Sequence, residues 1–163
     1  MKGVFIEKQK FTQWWLWLPF GGLAIFAIYA IVQQLVLKRT VGDNPMTDGG
    51  IIGFTLFVIG ITYFIYSIEL RTRIDENGIH LHFYPFFKSS YLWTSIMKVD
   101  FIRYGFVGFG IRIGGRHGTV YNIKGNRGMA IQLKDGSKFL IGTQESEKIK
   151  AIATKYHKQT QIQ

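Results

Sequence analysis

The sequence predicts a membrane-inserted α-helical hairpin carrying a small, basic, mainly-β domain that a C-terminal amphipathic helix closes. Three observations lead there. Two long uncharged apolar runs occupy most of the first seventy positions. Most of the charge lies beyond them. After Glu69 the apolar residues recur with a period of two, the mark of strands with one buried face.

Residues 1–13 form a short polar N-terminal segment. The first apolar run, Trp14–Leu37, follows it, and Gln33 and Gln34 are its only strongly polar side chains. As a helix it reaches roughly 36 Å, enough to cross a hydrocarbon layer of ~30 Å. Trp14, Trp15 and Trp17 cluster at its start. Indole rings favour the headgroup level, so these three are expected membrane-interface anchors. Pro19 either begins the regular helix or bends it.

The second run, Gly50–Ile68, is just long enough to span. Gly53 and Gly60 share one helix face. They either form a packing seam, against the first helix or another subunit, or are ordinary glycine content of a span. A signal peptide is a poorer reading of the first run, which is too long and is soon followed by a second span. A soluble fold of this size has nowhere to bury two helices that are apolar all round.

The link 38–49 is polar and turn-rich, which makes the helices an antiparallel hairpin with an external loop. Basic residues flank both outer ends of the spans and favour cytoplasmic N- and C-termini, although Lys38 and Arg39 in the link pull the other way.

The remaining domain is expected over 69–158, with a frayed tail at 159–163. Asp75-Glu76-Asn77-Gly78 reads as a hairpin turn, Asn-Gly tolerating positive φ. Ile79, Leu81 and Phe83 then alternate with His80, His82 and Tyr84. Further strands are expected at 91–94, 96–103, 109–113, 119–123, 129–134 and 138–141, separated by Gly-rich turns. Thr143 is placed to cap a helix with Glu145 and Glu147 in its first turn. Ile149, Ile152, Ala153 and Tyr156 form its apolar stripe.

Several motifs stand in this order: Ile74-Asp75-Glu76-Asn77-Gly78-Ile79, Trp93-Thr94-Ser95-Ile96, Phe109-Gly110-Ile111-Arg112, Tyr121-Asn122-Ile123-Lys124-Gly125-Asn126 and Leu140-Ile141-Gly142-Thr143-Gln144. With the opening Phe5–Phe11 and its Trp-rich continuation, they resemble bacterial two-span membrane proteins with a C-terminal pleckstrin-homology-like domain. The resemblance covers nearly the whole chain. It implies a sandwich or barrel of about seven antiparallel strands closed by a helix, and attachment to the bacterial cytoplasmic membrane. It implies no reaction, and a fold alone does not transfer a ligand.

Net charge is +10, and residues 71–163 hold 15 basic and 6 acidic side chains. Such a domain is drawn to anionic lipid, acidic protein or nucleic acid. The basic residues are scattered and no nucleic-acid motif is present, so nucleic acid is the poorest of these partners. The absence of cysteine excludes disulfides, thiol catalysis and cysteine metal sites. His80 and His82 share a strand face without an evident third ligand. Ser89, Ser90 and Ser95 lack a glycine elbow, and Gly105–Gly110 has the wrong spacing for a nucleotide loop. No cofactor or catalytic residue is named by these patterns.

Arg103, Arg112, Arg116, Lys124 and Arg127 are the candidate contacts to anionic lipid or a partner. They are interleaved with aromatic residues in a Gly-rich stretch. Sequential pairing would divide them into two clusters, Arg116 at one end of the domain and Lys124 and Arg127 at the other, near Gly105–Gly108. A plain solvated basic surface is the competing reading. The short step from Ile68 to the first strand confines the domain close to the bilayer, where such charge sets tilt rather than recruitment. The expected function is a non-catalytic, membrane-anchored interaction module or membrane-complex subunit. Its partners are membrane lipids and a membrane or cytoplasmic protein, with contact between copies left open. A sensor of phosphorylated headgroups or a transport accessory is the alternative, and a lipid-modifying enzyme the third reading.

Overall fold

The computed structural model describes residues 3–105, 109–114 and 117–161. Two compact units make up the chain: Phe11–Ser67, and Met1–Lys10 together with Ile68–Gln163.

The first unit is a pair of helices. α1 (Trp14–Ile31) runs into a π-helical turn, Val32–Val36, and α2 spans Asp48–Ser67. Trp14–Val36 and Asp48–Ser67 are each long and apolar enough to cross a membrane. Pro19 lies inside α1, so the helix starts at the tryptophans and not at the proline. Lys38 adopts φ 56°, and the Arg39 amide bonds back to the Gln33 carbonyl at 2.9 Å, which ends the first helical segment. Thr47 Oγ1 accepts from the Gly50 amide at 3.1 Å, and this cap starts α2 two residues earlier than expected. Gln34 Nε2 donates to the Met46 carbonyl and to Asp48 Oδ1, at 2.6 and 2.9 Å. A polar residue of the first apolar run therefore closes the turn.

The seam between α1 and α2 buries Ala27 and Ala30 against Ile51 and Val58, with Phe26 and Phe54 edge-to-face at 6.1 Å. Gly53 and Gly60 take no part in it, since a Cβ added at either would meet no atom within 4 Å. The small residues that let these two helices approach are alanines of α1.

The second unit is built from two sheets and a helix. The first sheet has the order β1 (Phe5–Lys10), β2 (Glu69–Ile74), β3 (Gly78–Tyr84), β4 (Phe87–Leu92), all antiparallel. A 3-10 turn, Trp93–Ser95, leads into the second sheet. That sheet contains β5 (Ile96–Arg103), β6 (Gly110–Arg112), β7 (Thr119–Asn122), β8 (Arg127–Leu133) and β9 (Lys138–Gly142), in the order β5-β8-β9-β7-β6. α3 covers Ser146–Gln161.

The expectation of about seven antiparallel strands needs three corrections. There are nine strands among the described residues, because Phe5–Lys10 pairs with β2 and Phe87–Leu92 forms β4, where the sequence suggested a strand only at 91–94. One pair, β7–β9, is parallel. α3 extends to Gln161, into the segment expected to fray.

The inner faces of the sheets meet in an aromatic cluster. Tyr91 stacks on Phe139 at 4.3 Å, and Phe87 lies 5.1 Å from Tyr121. Ile79, Leu81 and Phe83 are buried as their alternation predicts, beside Leu70 and Ile74. Ile149, Ala153 and Tyr156 anchor α3, and Tyr156 stacks on Trp93 at 6.2 Å. Burying each such leucine, isoleucine or phenylalanine side chain contributes about 1.5–3 kcal/mol.

Gly78 has a different role from the one its Asn-Gly setting suggests. It has no positive φ; an added Cβ would collide with the Tyr91 carbonyl on β4. Close strand approach demands glycine there, while the turn itself is held by Asp75 Oδ1, which accepts from the Asn77 amide at 3.0 Å.

Candidate functional site

Strand register decides which basic residues meet. Arg103 at the end of β5 is directly opposite Arg127 at the start of β8. The Tyr104 amide bonds to the Asn126 carbonyl at 2.9 Å, which ties the end of β5 to the turn that carries Lys124. A groove of about 290 Å³ opens here, lined by Arg103, Arg127, Ser146, Glu147 and Lys150 among others. Arg127 Nη1 donates to Ser146 Oγ at 3.2 Å. Arg103 has no ion-pair partner among the described residues. Like charges directly opposite in a sheet destabilise it. The groove thus concentrates three cations against one carboxylate at the start of α3, where partial positive charge from free amides adds to theirs.

Arg112 is not part of this group. It sits on β6, at the edge of the five-stranded sheet opposite β5. Arg116 lies outside the described residues.

Lys150 joins the group from α3, and its place in that helix gives no local signal that it faces Arg103 and Arg127. The start of that helix is also tied down by residues remote in sequence. Glu7 of β1 is 5% exposed; its Oε2 accepts from Thr143 Oγ1 at 2.5 Å and its Oε1 from the Gln144 amide at 2.8 Å. Burial pushes the Glu7 carboxyl up, only partly opposed by those two bonds. Gln9 Nε2 donates to the Gly142 carbonyl at 2.7 Å. Thr143 Oγ1 in turn accepts from the Glu145 amide at 3.1 Å, a turn ahead of the helix and not a cap on it.

A second grouping lies on the outer face of the four-stranded sheet. Ser90 Oγ is 2.9 Å from His80 Nδ1, and His80 Nε2 is 3.3 Å from Asp75 Oδ1. Residues fifteen positions apart thus form a serine–histidine–aspartate chain that no local motif announces. Asp75 also accepts from Arg73 Nε at 3.0 Å. Burial raises its carboxyl, but Asn77, His80 and Arg73 outweigh it and hold the group below the ordinary range. β3 is paired on both sides, so its amides are engaged in the ladder. The chain orients His80 and completes a polar network on the sheet face.

At the helical unit, Trp14 and Trp15 are exposed, while Trp17 is half-buried. Trp17 Nε1 donates to the Phe11 carbonyl at 2.9 Å, and its ring lies 6.3 Å from Tyr66. Two of the three expected anchors are therefore exposed.

No family model and no curated protein matches the chain. What the fold and the groove define is a mainly-β unit with concentrated surface cations, joined to two apolar helices.

Proposed function

We propose that the protein is a non-catalytic, membrane-anchored interaction module of the bacterial cytoplasmic membrane. α1 and α2 cross the bilayer, both termini are cytoplasmic, and a pleckstrin-homology-like β unit offers basic surfaces to an anionic leaflet or a protein partner. The observation that carries this reading is the place where the hairpin enters the β unit. Lys10 and Glu69, which flank residues 11–68, are partners in the β1–β2 ladder. The apolar hairpin is an insertion into a strand pair, so two covalent links hold the β unit to it.

Carbonate extraction followed by protease treatment of oriented vesicles tests the reading. The chain should stay in the membrane pellet, and the β unit should be cleaved in inside-out vesicles and protected in right-side-out ones. A chain released by carbonate, or cleaved in the opposite orientation, refutes it.

A second reading, a sensor of phosphorylated headgroups, is favoured by the Arg103–Arg127 pair with Lys150. A phosphate monoester between two guanidinium groups would remove their repulsion and accept from both.

A further inference from the structure

The outer face of the four-stranded sheet carries basic residues of its own, in register from strand to strand. In the ladder Lys8 is opposite Arg71, Arg71 is opposite His82, and His82 is opposite Lys88. One side chain from each of the four strands thus contributes to a basic row across the whole sheet. Adjacent strands are about 4.8 Å apart, so the row is about 14 Å long.

Ordinary sheets interleave charge at such positions, because like charges directly opposite one another cost stability. Here Lys8 and Arg71 are like charges directly opposite one another. Arg71 is ion-paired with Glu69, which also lies 3.6 Å from Lys10 Nζ. Lys8 and Lys88, at the two ends of the row, have no ion-pair partner among the described residues. The alternation of β1 leaves Lys8 exposed, and Lys88 is exposed on β4. Exposed apolar side chains border the row on both sides: Ile6 at 59% and Tyr84 at 47%.

A basic row edged by an aliphatic and an aromatic side chain matches a headgroup layer, with phosphates at the surface and acyl chains just beneath. An acidic protein would complement the charge but leave Ile6 and Tyr84 without a role. Chain connectivity favours lipid as well. Lys8 and Arg71 are each within six residues of a helix apolar enough to span, a covalent reach of about 20 Å at most.

We infer that this sheet face, through Lys8, Arg71, His82 and Lys88, docks on the phosphate groups of anionic phospholipids in the bilayer that holds the hairpin. The inference rests on the membrane-anchored reading above and gives it a surface. Because the anchor already confines the unit, docking sets its inclination to the bilayer and thereby which other surfaces, the Arg103–Arg127 groove included, are presented to the cytoplasm.

The chain has no cysteine, so one introduced thiol reports on the face without background. Full-length S90C is reconstituted in nanodiscs of phosphatidylcholine alone, or with a third of phosphatidylglycerol, and labelled with a membrane-impermeant maleimide. S137C, in the turn between β8 and β9, is the reference. Labelling at position 90 should be about tenfold slower in anionic discs, the effect of partial neutralisation of a few basic residues at ~1 kcal/mol each. High salt, or the added K8Q/K88Q pair, should restore the rate, and position 137 should label equally in both discs. Equal rates at position 90 in the two discs overturn the proposal. Protection found in native membranes but absent from anionic discs assigns the face to an acidic protein and also overturns it. A chain that fails to enter discs at all refutes the anchored reading itself, which the elution profile shows before any labelling.

Discussion

Lys10 stands directly opposite Glu69 in the β1–β2 ladder, with Nζ 3.6 Å from Oε2. Everything between them except the short links is the helical hairpin. The first strand of the β unit is therefore made by chain that precedes the hairpin, and the second by chain that follows it. The sheet cannot be completed until the hairpin has been synthesised and turned back. Burial lifts the Glu69 carboxyl, but Arg71 and Lys10 outweigh it and keep the group ionised.

The attachment of β1 can be tested at Glu7. Its carboxylate accepts from Thr143 and Gln144 in a buried site, so Glu7→Ala leaves both donors without a partner. We expect a loss of about 2–4 kcal/mol in thermal unfolding of the full chain in detergent. Glu7→Gln keeps an acceptor and removes a buried charge, and should cost under ~1 kcal/mol. The pH dependence has a definite sign. The folded value lies above the unfolded one, so the folded state binds the extra proton; the contribution is full below pH 4.5 and is lost as pH rises through the raised folded value. Relative to Glu7→Gln, the parent should gain stability as pH falls from neutral. A parent and a Glu7→Gln variant with parallel pH profiles would show that Glu7 titrates alike in both states.

The Arg103–Arg127 pair makes an opposite kind of prediction. Arg103→Glu replaces a like-charge pair by an ion pair at directly opposed positions. Unfolding should become harder by about 0.5–1 kcal/mol. Retention of the chain's β unit on vesicles bearing phosphomonoester headgroups should weaken in the same variant. A residue that serves only the fold would not move the two measurements in opposite directions. Unchanged stability would show that the guanidinium groups already avoid each other in solution.

What the sequence allowed one to read divides along the same lines. Ile79, Leu81 and Phe83 were legible because period-two burial is local. β5 was legible over its whole length for a similar reason, as a polar-apolar run between turn signals. β1 was not, because its inward residues are Phe5, Glu7 and Gln9, and two polar side chains out of three hide the alternation. Their burial makes sense only beside Gly142, Thr143 and Gln144, more than 130 positions away. The parallel β7–β9 pair is likewise a matter of which strands meet, on which periodicity is silent. Arg103 and Arg127 were each identifiable as basic residues near turns, whereas their opposition is a property of register. The row from Lys8 to Lys88 comes from four strands, and its members are unremarkable one at a time. Gly53 and Gly60 show the converse: a sound spacing argument placed them on one face, and that face is not the one α1 occupies.

His82, in the middle of the row, supplies a pH test that separates the folded unit in solution from the same unit docked. Partial burial, then Lys88 and Arg71, hold its imidazole below the ordinary 6.5, with Glu69 pulling weakly the other way. The Tyr84 ring, 5.9 Å away, adds no formal charge, and His80 is engaged with Asp75 and Ser90. In solution the unfolded chain binds this proton more readily than the folded one. Stability is therefore full above 6.5 and is lost as pH falls through the depressed folded value. Against phosphates the sign reverses, because the protonated imidazole extends the row of cations. Thiol protection at position 90 in anionic discs should then increase as pH is lowered from about 7.5 to about 5.5, while in neutral detergent the parent should lose stability relative to H82Q over the same interval. Histidine 82 replaced by glutamine (H82Q) should flatten the protection profile. Protection that stays constant with pH in the parent, or that changes equally in H82Q, would remove His82 from the docking surface.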